Sequence, residues 1–155
     1  MASFIIEGGH RLKGEIVPQG AKNEALQVLC AVLLTDEPVR IKNIPNIVDV
    51  NNQIQLLRDM GVEVTEHDEH DYTFVAKQFD DLYLGSEAYT QRCRQLRGSV
   101  MMLGPLLARR GKAIVAKPGG DQIGRRRLDT HFHGIQKLGG RFTYDENKYL
   151  YNVET

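Results

Sequence analysis

Apolar positions along the chain change their spacing several times, and each change marks an element. "SFIIEGG" and "LKGEIVPQ" have the composition of two short strands separated by a Gly-rich turn. From Ala21 the apolar residues Ala25, Leu26, Leu29, Val32 and Leu33 recur three and four apart, which predicts a helix that Pro38 stops. "VRIKN" reads as a strand, and "NIVDVNNQIQLLRDMG" as a second helix closed by Gly61. "VEVTE" and "YTFVA" predict a hairpin joined through the acidic turn His67–Asp71. A similar order then returns. "KAIVAK" is a strand, "RLDTHFHGIQKLGG" a helix ending in glycine, and "RFTYD" with "YLYNV" a second hairpin.

The two copies superpose about 78 residues apart, with Leu56–Thr65 matching Gly134–Thr143 at apolar, glycine and threonine positions. Between them "YTQRCRQLRGSVMMLGPLLARRG" predicts a helical pair or one broken helix, interrupted at Gly98 and at Gly104-Pro105. The second hairpin reaches almost to Thr155 without an evident cap, so the chain reads as part of a larger repeat array. The fold class expected is α/β (α+β).

Composition narrows the class. With 155 residues, 41% apolar and 26% charged, the chain is of ordinary globular character and long enough for one domain. No stretch is long enough to span a bilayer, and the N-terminus lacks the pattern of an export signal. Cys30 and Cys93 have no metal-ligand spacing and read as reduced thiols of a cytoplasmic protein. Formal net charge is zero, yet half of the 20 Lys and Arg fall between Arg92 and Arg127. Asp121 is the lone acid in that span.

Three segments could carry chemistry. In "GAKNEAL", Lys22 and Asn23 fall in the first turn of a helix, where free N–H groups, the dipole and an ammonium suit phosphate or carboxylate. The alternative is a solvated lysine beside a capping Asn. Arg97 lies beside Gly98, before a strongly apolar turn; it is either a ligand-facing or a helix-surface arginine, and Arg92 and Arg94 read as the latter. "PGGDQIGRRRLD" joins glycines to arginines that precede a helix, a combination suited to a solvated turn, a phosphorylated small molecule or nucleic acid. Few aromatics interleave with the basic residues, which argues against nucleic acid. His131 and His133 stand two apart, about 200° around a helix, so they do not share a metal. No metal and no cofactor are expected. Asp129 could cap its helix or accept a bond from a ligand.

"GAKNEAL", "LRGSVMMLGPLLAR" and "PGGDQIGRRRLDTHFHGIQKLG", in this order and at these distances, resemble the UDP-N-acetylglucosamine 1-carboxyvinyltransferases of peptidoglycan synthesis. The sister family, the shikimate-pathway enolpyruvyl transferases, has a serine-rich motif where this chain has "AKNEA". The resemblance implies two lobes of three βαβαββ units each, with a cleft between them. Residues 1–17 would then belong to the other lobe, and 18–155 to about two units of the first, with the C-terminal lobe missing. It implies phosphoenolpyruvate and UDP-N-acetylglucosamine as substrates, without nucleic acid or membrane partners, and an isolated fragment that is inactive.

By position, Lys22, Asn23 and Arg126 match phosphoenolpyruvate contacts. Arg97, Arg126, Arg127, Leu128, Asp129 and Thr130 match contacts along the nucleotide sugar, with Arg127 where the family commonly has proline. Asp121 stands where many members have the cysteine that protonates the enolpyruvyl methylene and is alkylated by fosfomycin. The resemblance therefore implies a catalytic acid at Asp121 and resistance to that antibiotic.

Overall fold

The structure, a computed structural model, describes residues 3–117, 119 and 127–155. Helix α1 spans Lys22–Ala31 and tightens into a 3-10 turn, Val32–Leu34, before strand β1, Val39–Lys42. Helix α2 (Val48–Asp59) and the hairpin β2 (Glu63–Asp68) and β3 (Asp71–Val75) follow. The central helical region divides into α3 (Glu87–Gln95), a 3-10 turn (Arg97–Met102) and α4 (Leu103–Arg110). Strand β4 (Lys112–Ala116), helix α5 (Asp129–Lys137) and the hairpin β5 (Arg141–Asp145) and β6 (Leu150–Glu154) complete the chain.

The internal repeat is visible in the topology. One sheet runs β1-β3-β2 and the other β4-β6-β5, both antiparallel throughout. In each, the strand before the helix pairs with the second strand of the hairpin, as Val39 with Phe74 and Ala113 with Val153. The closing glycines Gly61 and Gly139 have φ of +97° and +100°, the left-handed conformation that ends these helices with little strain.

One core serves both copies. Leu29, Leu33, Val50, Leu57 and Met60 of the first copy join Tyr89, Met102, Leu106, Val115 and Val153 of the second, all fully or nearly fully buried. Arg109 clamps the junction by donating through Nη1 to the carbonyls of Leu33, Thr35 and Ala76. These acceptors include orphan carbonyls at the end of the 3-10 turn, so the arginine supplies the donors that the helix end lacks.

Two expectations fail. "SFIIEGG" and "LKGEIVPQ" form no strands. Phe4, Ile5, Ile6, Leu12, Ile16 and Val17 are 88–94% exposed, because a strand needs a neighbour and the described residues offer these none. Among the described residues the first copy accordingly runs α, β, α, β, β and the second α, α, β, α, β, β, neither with a leading strand. The second failure is Gly104-Pro105, which starts α4 rather than interrupting it. Pro105 is its third residue, where the N–H that proline lacks would have had no intrahelical partner. The break falls at Leu96 instead, whose extended backbone ends α3.

Candidate active site

Gly20 allows α1 to begin where it does. A Cβ built on it would stand 2.0 Å from the carbonyl oxygen of Asn43, so only glycine brings the start of α1 onto the turn after β1. Asn43 itself has φ +60°, and the next residue is held by Ile44 N–H donating to the His70 carbonyl at 3.0 Å. Lys22 and Asn23 are then the first two residues of α1. Ala21 occupies the N-cap and no side chain caps the helix, so Asn23 does not have the capping role that the sequence allowed. The Lys22 ammonium pairs with Asp49 of α2, with both side chains partly exposed.

Arg97 opens the 3-10 turn and is half-buried. Its neighbour Gly98 fits against α1: a Cβ there would meet Leu26 at 3.5 Å and Gln53 Oε1 at 3.7 Å. Leu26 is one turn along α1 from Lys22, on the same face. Gly119 in turn lies against Arg94, three residues before Arg97. The start of α1 thus meets the first turn of α2 through Lys22 and Asp49, the Arg97 turn packs on α1 through Gly98 and Leu26, and Gly119 touches Arg94. Asp121 and Arg126 lie outside the described residues.

The remaining candidates sit on the second copy. Leu128 is the N-cap of α5, Asp129 its first residue and Thr130 its second. Asp129 therefore does not cap the helix. It accepts from Arg127 Nε at 2.5 Å, an exposed pair at the helix entrance. Helix α5 buries no residue completely and rests through Phe132 on Phe142 and Tyr151. His131 and His133 project from it, and among the described residues no three His, Cys, Asp or Glu converge on a metal.

Asp49 escaped the sequence reading. It is the sole acid between Glu37 and Asp59, a signal that could have singled it out, but its pairing with Lys22 depends on how α1 packs on α2. The two cysteines are structural: burial pushes the Cys30 thiol up to about 12 and the Cys93 thiol to about 11, which leaves little thiolate at neutral pH. Lys22, Asn23 and Arg97 do not line the deeper grooves of about 400–470 Å³.

A family model described as EPSP synthase (3-phosphoshikimate 1-carboxyvinyltransferase) matches residues 6–155. The chain belongs to this enolpyruvyl transferase family. Among curated relatives it is 61% identical over 153 residues to UDP-N-acetylglucosamine 1-carboxyvinyltransferase of Bacteroides fragilis, covering 99% of this chain and 35% of that protein. The protein of the same name from Porphyromonas gingivalis is 54% identical with the same coverage. The chain thus spans about 35% of the length of these relatives. Two solved enolpyruvyl transferases share the fold. NikO from Streptomyces tendae superposes with a TM-score of 0.69 at 22% identity, over 96% of this chain and 31% of that one. EPSP synthase from Acinetobacter baumannii gives 0.57 at 13% identity, over 91% and 32%. The enolpyruvyl-transferase-like α/β repeat read from the sequence is the fold found. No helix among the described residues is long and apolar enough to cross a membrane.

Proposed function

We propose that the protein carrying this chain transfers the enolpyruvyl group of phosphoenolpyruvate to the 3-hydroxyl of UDP-N-acetylglucosamine, in peptidoglycan synthesis. The observation that carries the reading is the seat of Lys22 and Asn23 on an uncapped helix N-terminus, in a chain 54–61% identical to relatives of that name. An N-terminal turn with an ammonium suits the carboxylate or phosphate of a small anion. Asp49 pairs with the Lys22 ammonium and so orients it at the start of the helix.

In the reaction, the sugar 3-hydroxyl gives its proton to a general base of the whole protein as its oxygen attacks C2 of phosphoenolpyruvate, while a proton is added at C3. The resulting tetrahedral adduct then loses the proton gained at C3 and expels phosphate, leaving the enolpyruvyl ether. Lys22, Arg97 and Arg126 hold the anionic groups and stabilise charge as it shifts toward the leaving phosphate. Arg127, Leu128, Asp129 and Thr130 border the nucleotide sugar. Asp121 donates the proton. Three arginines follow it within six positions of the sequence and would favour an ionised acid, so proton donation requires that the substrates' anionic groups neutralise them and that the acid be desolvated.

Asp121→Asn abolishes turnover in the full-length protein, whereas Asp121→Cys retains it and becomes sensitive to fosfomycin. Full activity of the Asn variant would remove the acid role from Asp121.

A further inference from the structure

Arg94, by pattern a helix-surface arginine, is tied into the chain on both of its faces. Its guanidinium lies over the Tyr149 ring, 5.0 Å from the centroid, in the geometry of a cation–π contact. Tyr149 precedes β6 with φ +56°, a left-handed backbone that a bulky aromatic residue rarely adopts. Such strain persists only where the surroundings impose it, and it concentrates at functional positions. The Tyr149 carbonyl accepts from Lys117 N–H at 3.0 Å, just beyond the end of β4. On the other side, a Cβ built on Gly119 would come within 1.6 Å of the Arg94 carbonyl oxygen. The main chains of Gly119 and Arg94 therefore touch.

These contacts close a circuit from the last turn of α3, through the ring of Tyr149 and its carbonyl to Lys117, and back through Gly119. A groove of about 470 Å³ opens beside it, lined in part by Thr90, Gln91, Arg94, Lys148 and Tyr149. Nothing in the packing of the core requires Tyr149, which is 47% exposed. We propose that Arg94 and Tyr149 act as a pair of positioning residues: their contact fixes Lys117 and Gly119, the described residues that stand four and two positions before Asp121 in the sequence. This rests on the reading of Asp121 as the acid.

The test uses Tyr149→Gly, which removes the ring and the strain but keeps the carbonyl, together with Arg94→Gln, the double variant and Tyr149→Phe. Three quantities are measured: deuterium exchange at the Lys117 amide, the thermal midpoint, and kcat of the full-length protein. Tyr149→Gly and Arg94→Gln each speed exchange at Lys117 and lower kcat about ten- to a hundredfold, the scale of a misplaced catalytic group. The thermal midpoint is not lowered. The double variant loses no more than either single one, as expected of residues acting as a unit, and Tyr149→Phe behaves as wild type. Unchanged exchange and kcat would overturn the proposal, as would a loss of kcat that tracks a lowered midpoint. If the wild-type protein transfers no enolpyruvyl group, the functional reading fails. Exchange at Lys117 then decides the pair alone, faster exchange supporting it and unchanged exchange overturning it.

Discussion

Gly20→Ala adds one methyl group, and the structure allows a close estimate of its effect. The new Cβ would lie 2.0 Å from the Asn43 carbonyl oxygen, whereas real Cβ atoms essentially never come closer than 3.0 Å. The gap has to open by at least about 1 Å, and atoms 3.1 and 3.2 Å away on Pro45 and Asn43 add resistance. Asn43 cannot simply yield, since β1 pairs with β3 just before it and Ile44 is bonded to the His70 carbonyl just after. The start of α1 therefore moves instead. Overpacking of this kind costs about 1–3 kcal/mol, readable as a lower urea midpoint at constant slope. Because Lys22 and Asn23 ride on the displaced turn, a shift of about 1 Å also reduces kcat/KM for phosphoenolpyruvate by up to about a hundredfold. Refutation would be a Gly20→Ala variant with the wild-type midpoint and unaltered kcat/KM. The close approach of Gly20 would then have no bearing on stability or site.

Asp49→Asn separates stability from binding: its pair with Lys22 is partly exposed, so unfolding free energy changes by less than about 1 kcal/mol, while calorimetry finds weaker phosphoenolpyruvate binding. A large stability loss with unchanged binding would contradict the role given to that pair. Arg40 donates two hydrogen bonds to Asp71, at 2.8 and 2.7 Å, and these hold the Asp71 carboxyl below its usual range. Its contribution is therefore fully present above the unfolded carboxylate value of about 4 and is lost as pH falls through the lower folded value. Urea midpoints of the Asp71→Asn variant should fall less steeply below pH 4 than those of the wild type, and parallel curves would be the contrary result. Cys30 and Cys93, buried and shifted to about 12 and 11, should react with a thiol reagent at pH 8 only after unfolding. Fast labelling of the native protein would contradict their burial.

The legible parts of the fold are those set by local chemistry. Apolar spacing located α1, α2 and α5, and Gly61 and Gly139 marked helix ends because only a left-handed residue closes them cheaply. The copy-to-copy match of Leu56–Thr65 with Gly134–Thr143 anticipated the paired sheets. Elements that depend on distant partners were less visible. The residues of "SFIIEGG" have strand composition, but whether they pair is decided by what lies beside them. Gly104-Pro105 carried a breaker signature that a first helical turn tolerates. At the candidate site, Lys22, Asn23 and Arg97 could be named from motifs, but Asp49 joins Lys22 only through packing. Arg94 likewise gained its place from Tyr149, 55 positions away in the chain.

The most direct test is phosphate release from phosphoenolpyruvate by the full-length protein, with UDP-N-acetylglucosamine or shikimate 3-phosphate as acceptor. The expected result is release that depends on UDP-N-acetylglucosamine and is absent with shikimate 3-phosphate. Release only with shikimate 3-phosphate, or with neither acceptor, would contradict it.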